Sequence, residues 1–124
     1  MIDHIGLEVS DLARSAAFYD ALFARLGIRR VHTGPQAIAY GSVQPQFWIV
    51  RRGLGPAPDW GHVAIRAAGR AAVDAAYQAG LAHGGRPDGP NGAPAARPQY
   101  GPRYYAAYLR DPDGLRVEVV TGGH

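Results

Sequence analysis

The strongest constraint on this chain is that it repeats itself. His4-Ile5-Gly6-Leu7-Glu8-Val9 aligns with His62-Val63-Ala64-Ile65-Arg66-Ala67 at an offset of 58 residues. The same offset carries Tyr19 onto Tyr77, Ala21 and Ala24 onto Ala79 and Ala82, and Gly27 onto Gly85. The whole chain has 124 residues, so the repeat unit is close to half of it. A unit that small cannot bury an adequate core alone, and adjacent copies gain stability by packing together. The expectation is one domain, residues 1–124, made of two modules at about 1–53 and about 60–122.

Both copies follow one local grammar. Each opens with alternating large apolar residues, continues into an Ala-rich helical stretch and then reaches glycine. In the first copy Ser10 or Asp11 caps a helix running to about Leu26, with Gly27 as its stop. In the second the helix runs from about Arg70 to Ala82 and ends at Gly84-Gly85. Strand-like runs follow at Ile28 to His32, Ala37 to Tyr40 and Phe47 to Arg51, then at Tyr104 to Leu109 and Leu115 to Val120. The pattern is βαβββ twice, an α+β fold. Gly53-Leu54-Gly55-Pro56-Ala57-Pro58 is the expected linker. Residues 84–103, rich in Gly, Pro and Arg, form an excursion that only the second module has, either a functional loop or an inert surface one. Asp111-Pro112-Asp113-Gly114 reads as a hairpin turn.

Residues two apart in a strand share a face. Ile5, Leu7 and Val9 are assigned to the helix side, which leaves His4, Gly6 and Glu8 opposite. In the repeat, Val63, Ile65 and Ala67 face the helix while His62, Ala64 and Arg66 face away. Leu115, Val117 and Val119 form the apolar set of the last strand, with Arg116, Glu118 and Val120 opposite. When two such modules pack, their sheets are expected to form a curved mixed sheet around a cleft lined by the faces away from the helices, with the helices on the outer face. His4, His62 and Glu118 converge there. Two imidazoles and a carboxylate suit a divalent metal, Zn, Ni, Mn or Fe(II), with positions left open for substrate oxygens. The alternative is a buried glutamate that accepts hydrogen bonds from two histidines.

Composition narrows the chemistry further. The 13 basic side chains are all Arg, the formal net charge is +3, and there is no cysteine. The arginines are scattered singly and in pairs, so no nucleic-acid footprint follows. Without cysteine there are no disulfides, no thiolate metal sites and no thiol nucleophile. The N-terminal stretch carries acids where a signal peptide carries its basic region, and no apolar run approaches the roughly 18 residues that span a bilayer. A cytoplasmic protein without a membrane partner is expected.

MIDHIGLEVSDLARSAAFYDALFARLGI, GHVAI and YYAAYLRDPDGLRVEVV together resemble the vicinal oxygen chelate superfamily of glyoxalases, extradiol dioxygenases, methylmalonyl-CoA epimerase, fosfomycin-inactivating enzymes and bleomycin-resistance proteins. The likeness covers essentially the whole chain and is nearest to small glyoxalase-like members. It implies paired βαβββ modules around a cup, with a metal held by the first and last strands of each module. By position the implied ligands are His4, His62 and Glu118. Aligning Phe47-Trp48-Ile49-Val50 with Val117-Glu118-Val119-Val120 puts Trp48 where glyoxalases have a second carboxylate, and an indole offers a metal no lone pair.

The residues and the resemblance together lead to an expected site. His4, His62 and Glu118 are the metal ligands, and Glu118 doubles as the catalytic base, with Glu8 as the other glutamate available for that role. Trp48, Arg66, Tyr104 and Tyr108 are assigned to substrate binding, although the sequence does not say which parity of Tyr100, Tyr104, Tyr105 and Tyr108 faces the cleft. Arg66 has three competing roles: a substrate carboxylate anchor, an ion pair with Glu8, or a solvated side chain. His32, His83 and His124 are read as surface histidines. The first functional reading is a metal-dependent lyase, isomerase or dioxygenase acting on a small oxygenated molecule. The rival is a metal-free protein that sequesters an aromatic or antibiotic-like ligand. The resemblance also implies a homodimer, with the site inside one chain or shared between two.

Overall fold

The structure, a computed structural model, describes residues 1–55 and 61–123. The far end of the expected linker and His124 lie outside the described residues. The first module runs β1 (Ile5–Glu8), α1 (Leu12–Ala24), β2 (Arg29–Thr33), β3 (Ala37–Gly41) and β4 (Phe47–Val50). The second runs β5 (His62–Arg66), α2 (Arg70–Ala82), β6 (Arg86–Pro87), β7 (Ala95–Ala96), β8 (Tyr105–Arg110) and β9 (Arg116–Thr121). The sheets have the orders β1-β4-β3-β2 and β5-β9-β8-β6, with β7 added beside β8. In each, the first strand lies parallel to the last and the other pairings are antiparallel. The two βαβββ modules are therefore present. The excursion supplies the strand that the sequence left unplaced, β6, together with the short β7 on the same edge of β8.

Helix α1 forms where its signals say it should. Asp11 is the N-cap, its side chain accepting from the Arg14 amide at 2.9 Å. Ser15, Ala16, Phe18, Tyr19, Leu22 and Phe23 form the buried face at the three- and four-residue spacing of a helix. Gly27 lies at φ +73° beyond the helix end, a conformation that favours glycine. In α2 the same spacing buries Val73, Ala76, Tyr77 and Gly80.

The modules join helix to helix. Helix α1 packs on α2, while no strand of one sheet lies beside a strand of the other. The described strands thus form two separate sheets within one chain, and the helices expected on the outer face meet between the modules. Glycine permits this close approach. A Cβ on Gly85 would stand 2.4 Å from the Phe18 ring and 2.9 Å from the Gly80 carbonyl oxygen. Gly85 is thus a contact residue rather than the counterpart of the Gly27 stop.

A second junction is polar, and it is made by the Asp111-Pro112-Asp113-Gly114 turn. Asp111 Oδ1 accepts from the amides of Asp113 at 2.9 Å and Leu115 at 2.8 Å, which fixes the turn. Its other oxygen accepts from the buried Tyr19 hydroxyl at 2.7 Å. Asp113 accepts from the Ser10 amide at 3.1 Å and pairs with Arg14 at 3.2 Å. The hairpin of one module is therefore bonded to the helix of the other. Burial pushes the Asp111 carboxyl above its usual range, and the Asp113 charge adds to this, against the opposing hydrogen bonds from Tyr19 and the two amides.

Gly85→Ala is expected to cost about 1–3 kcal/mol through overpacking, read as a lower urea midpoint with unchanged m. Asp111 has a raised folded-state pKa, so the folded chain binds its proton more tightly than the unfolded chain does. Its contribution to stability should therefore increase as pH falls through that raised value towards the ordinary carboxylate pKa of about 3.9. Denaturation curves taken from neutral pH down to the ordinary carboxylate pKa of about 3.9 should show wild type gaining relative to Asp111→Asn as pH falls.

Candidate functional site

The final strand positions the central carboxylate. Val117 and Val119 are fully buried on the helix side of β9, and strand alternation turns Glu118 to the opposite face. The register places Ala64 and Tyr108 on either side of Glu118. Glu118 is only 2% exposed, and a buried carboxylate requires partners. Tyr104 donates its hydroxyl to Oε2, and His62 Nε2 lies 3.2 Å from Oε1. Burial, then the hydrogen bond to Glu118 and its charge, raise the Tyr104 pKa well above the usual phenol value. Burial and the same carboxylate raise that of Tyr108. Both phenols thus hold their protons and serve as donors at neutral pH.

The tyrosine parity is now defined. Tyr105 points to α2, where its hydroxyl donates to Asp74 at 2.6 Å and the Arg70 guanidinium lies 4.8 Å from its ring. Tyr104 and Tyr108 take the open face. With His62, Gln99, Tyr100 and Glu118 they line a hollow of about 450 Å³. Gln99 and Tyr100 come from the excursion, which is therefore part of the site. Arg97 fixes its path by donating to the carbonyls of Asn91, Ala93 and Ala106 while stacking 4.9 Å from the Tyr108 ring. Neither Gln99 nor Arg97 stands out in the sequence. The only signal is the concentration of tyrosines from Tyr100 to Tyr108, which begins within the proline-rich excursion.

His62 and Glu118 meet, whereas His4 stands apart from them. His4 is exposed, and its Nδ1 lies 2.6 Å from Asp3. Among the described residues no three His, Asp or Glu side chains come together as a metal-binding group. One imidazole nitrogen and one carboxylate oxygen are suitable donors for Zn, Ni, Mn or Fe(II), but protein sites for such ions supply three or four ligands. A single chain thus offers part of a donor set.

Trp48 also lies outside the Glu118 hollow, on the first sheet. Its register neighbours are Gly6 and Ala39, and the His32 ring lies 5.4 Å away, tilted by 45°. Trp48 is nevertheless the repeat counterpart of Glu118, since Gly6 pairs with it as Ala64 pairs with Glu118. His83 is at the surface as expected, with Nδ1 2.9 Å from the Ala79 carbonyl. Glu8 is engaged elsewhere. Its carboxylate accepts from the amides of Arg52 at 2.6 Å and Gly53 at 2.9 Å, and Arg52 Nε approaches at 3.2 Å. Desolvation would raise its pKa, but these bonds together with the Leu54 amide outweigh it and lower the value. The chain leaving β4 crosses the end of β1 and brings amides that need an acceptor. Glu8 is thus tied to the backbone and makes no pair with Arg66.

Comparison with known proteins agrees with this fold. The model of the Glyoxalase/Bleomycin resistance protein/Dioxygenase superfamily matches residues 1–119. The chain belongs to this superfamily. A crystal structure of a glyoxalase/bleomycin resistance protein from Albidiferax ferrireducens is 32% identical, with a TM-score of 0.80 and 94% of each chain covered. A lactoylglutathione lyase from Agrobacterium tumefaciens is 23% identical, with a TM-score of 0.67, covering 98% of this chain and 93% of that one. A fosfomycin resistance protein from Mesorhizobium loti is 20% identical, with a TM-score of 0.70 and coverages of 98% and 92%. At those two lower identities the likeness is one of fold. No curated protein matches the chain. No helix among the described residues is long and apolar enough to cross a membrane.

Tyr104→Phe removes a donor from a buried charge and is expected to cost about 1.5–3 kcal/mol. Equilibrium urea unfolding measures it, with near-ultraviolet circular dichroism to confirm an intact fold.

Proposed function

We propose that this superfamily member is a divalent-metal-dependent lyase, isomerase or dioxygenase acting on a small oxygenated molecule. The observation that carries the reading is the buried Glu118 carboxylate, with His62 Nε2 3.2 Å from Oε1 at the wall of an open hollow. His62 and Glu118 would hold the metal together with His4 of a second copy of the chain, and the bound ion would polarise neighbouring oxygens of the substrate. Tyr104 holds Glu118 Oε2, which leaves Oε1 as the atom able to take or return a proton. Tyr108 and Tyr100 line the hollow. A homodimer and a cytoplasmic setting belong to the same reading.

The open edges of the sheets support a shared site. Among the described residues β1 and β5 each have one unpaired edge, and a groove of about 690 Å³ between them is lined in part by Ile2, Ile5, Phe47, Val63 and Ile65. Unpaired edges and half-covered apolar side chains invite association. A second copy offering its own β1 edge would bring a His4 towards β5.

A second reading rests on the same carboxylate. Both Glu118 oxygens already have partners in one chain, as a metal-free pocket would need, and aromatic side chains line the hollow. In that case the protein sequesters a small aromatic or antibiotic-like ligand.

Elemental analysis of protein purified without chelator or histidine tag separates the two. About one ion per chain is expected, lost in Glu118→Ala and in His4→Ala. A mixed dimer of those two variants should regain one site, as expected for composite ligation. Absence of metal with no uptake of Zn, Ni, Mn or Fe(II) overturns the first reading, and a monomer by sedimentation overturns the shared site.

A further inference from the structure

The cleft face of the second sheet ends in a hollow that the carboxylate chemistry leaves unused. It has a volume of about 500 Å³, and its lining includes Arg66, Tyr104, Thr121 and Gly123. Tyr104 also lines the Glu118 hollow, so one phenol forms a wall of both spaces. Arg66 is paired with Val120, one step along the face from the Ala64–Glu118 pair. Two residues of strand correspond to about 7 Å. Ala64 and Val120, both in the lining, give a low apolar floor between the carboxylate and the guanidinium. Gly122 helps shape the wall. It sits at φ +69°, and a Cβ there would lie 1.9 Å from the Arg103 carbonyl oxygen, so only glycine lets the chain turn in this close.

Arg66 differs from the other strand arginines on this face. Arg110 and Arg116 both pair with Asp88, at 2.7 and 3.3 Å. Arg66 has no ion pair or hydrogen bond to any described residue. Glu8, its repeat counterpart and the one acid placed to neutralise it by pseudo-symmetry, is bound to the backbone after β4. A guanidinium in a hollow, with no acid paired to it among the described residues, presents a planar fork of donors to an anion.

We infer that this hollow is an anion subsite in which Arg66 binds a carboxylate of the ligand while another part of the same molecule lies over Glu118. The ligand class is then a small carboxylic acid whose charged group lies several ångströms from the group it presents to Glu118, about the span of a short dicarboxylate. This deepens the proposed function by naming a ligand class. It does not require the metal, and it is tested on metal-free protein so that either can fail alone.

The probes are glutarate, its uncharged diamide glutaramide, and inorganic phosphate. Binding is followed through the Arg side-chain Nε–H resonances of the full chain. Glutarate should shift the Arg66 resonance saturably, phosphate should compete with it, and glutaramide should leave the resonance unmoved. Arg66→Gln should weaken glutarate binding by about tenfold or more, as loss of a charge-assisted bidentate contact requires, whereas Arg25→Gln at the end of α1 should not change it. Equal binding of glutaramide, unchanged affinity in Arg66→Gln, or no Arg66 shift with glutarate or phosphate overturns the inference. Loss of dimer in Arg66→Gln with glutarate affinity retained also overturns it and makes Arg66 an interface residue.

Discussion

The arrangement of this protein depends on how the Asp111-Pro112-Asp113-Gly114 turn meets helix α1. Asp111 ties the turn together through two amides and also receives the Tyr19 hydroxyl, while Asp113 takes the amide of Ser10 and the charge of Arg14. Low dielectric around Asp111 and Tyr19 makes an unpaired group there costly, so the two modules have one satisfactory docking. That docking puts α1 against α2, with Phe18 in the space left open at Gly85. With the helices packed together, β1 and β5 stay unpaired with each other and border a common groove. The site follows from this, since His62 and Glu118 are left in an open hollow away from His4.

The duplication has diverged at the positions that carry chemistry. Glu118 corresponds to Trp48 and Arg66 to Glu8, while the surrounding backbone register is the same in both modules. One copy presents a carboxylate, an imidazole and phenols. The other presents an indole with the His32 ring tilted against it. An exchange of side chains at fixed register changes function without disturbing the core, because successive residues of a strand answer to different faces. The additional residues of the second module then enclose the site on one side with Gln99 and Tyr100.

Much of this was legible in the sequence, for local reasons. The helix expected from Arg70 to Ala82 has those bounds, and Asp11 caps α1. Glu118 on the open face and Val117 and Val119 beneath follow from alternation alone. Other residues were not legible because their partners are distant in the chain. Nothing local shows that Glu8 will be taken up by amides more than 40 residues later, or that Arg97 will leave solvent to stack on Tyr108. The Asp111 turn was correctly read as a turn, but its role in joining the modules depends on Tyr19, 92 residues away.

The sequence by itself determined two βαβββ modules, the face each strand residue takes, and a donor set limited to nitrogen and oxygen by the absence of cysteine. These follow from periodicity and composition, which act within a few residues. Tertiary structure alone decided that the modules dock through helices, that Tyr104 and Tyr108 rather than Tyr105 face Glu118, and that His62 reaches Glu118 while His4 does not. Those outcomes depend on which surfaces can be buried together without stranding a polar group, a condition that exists only once distant segments meet.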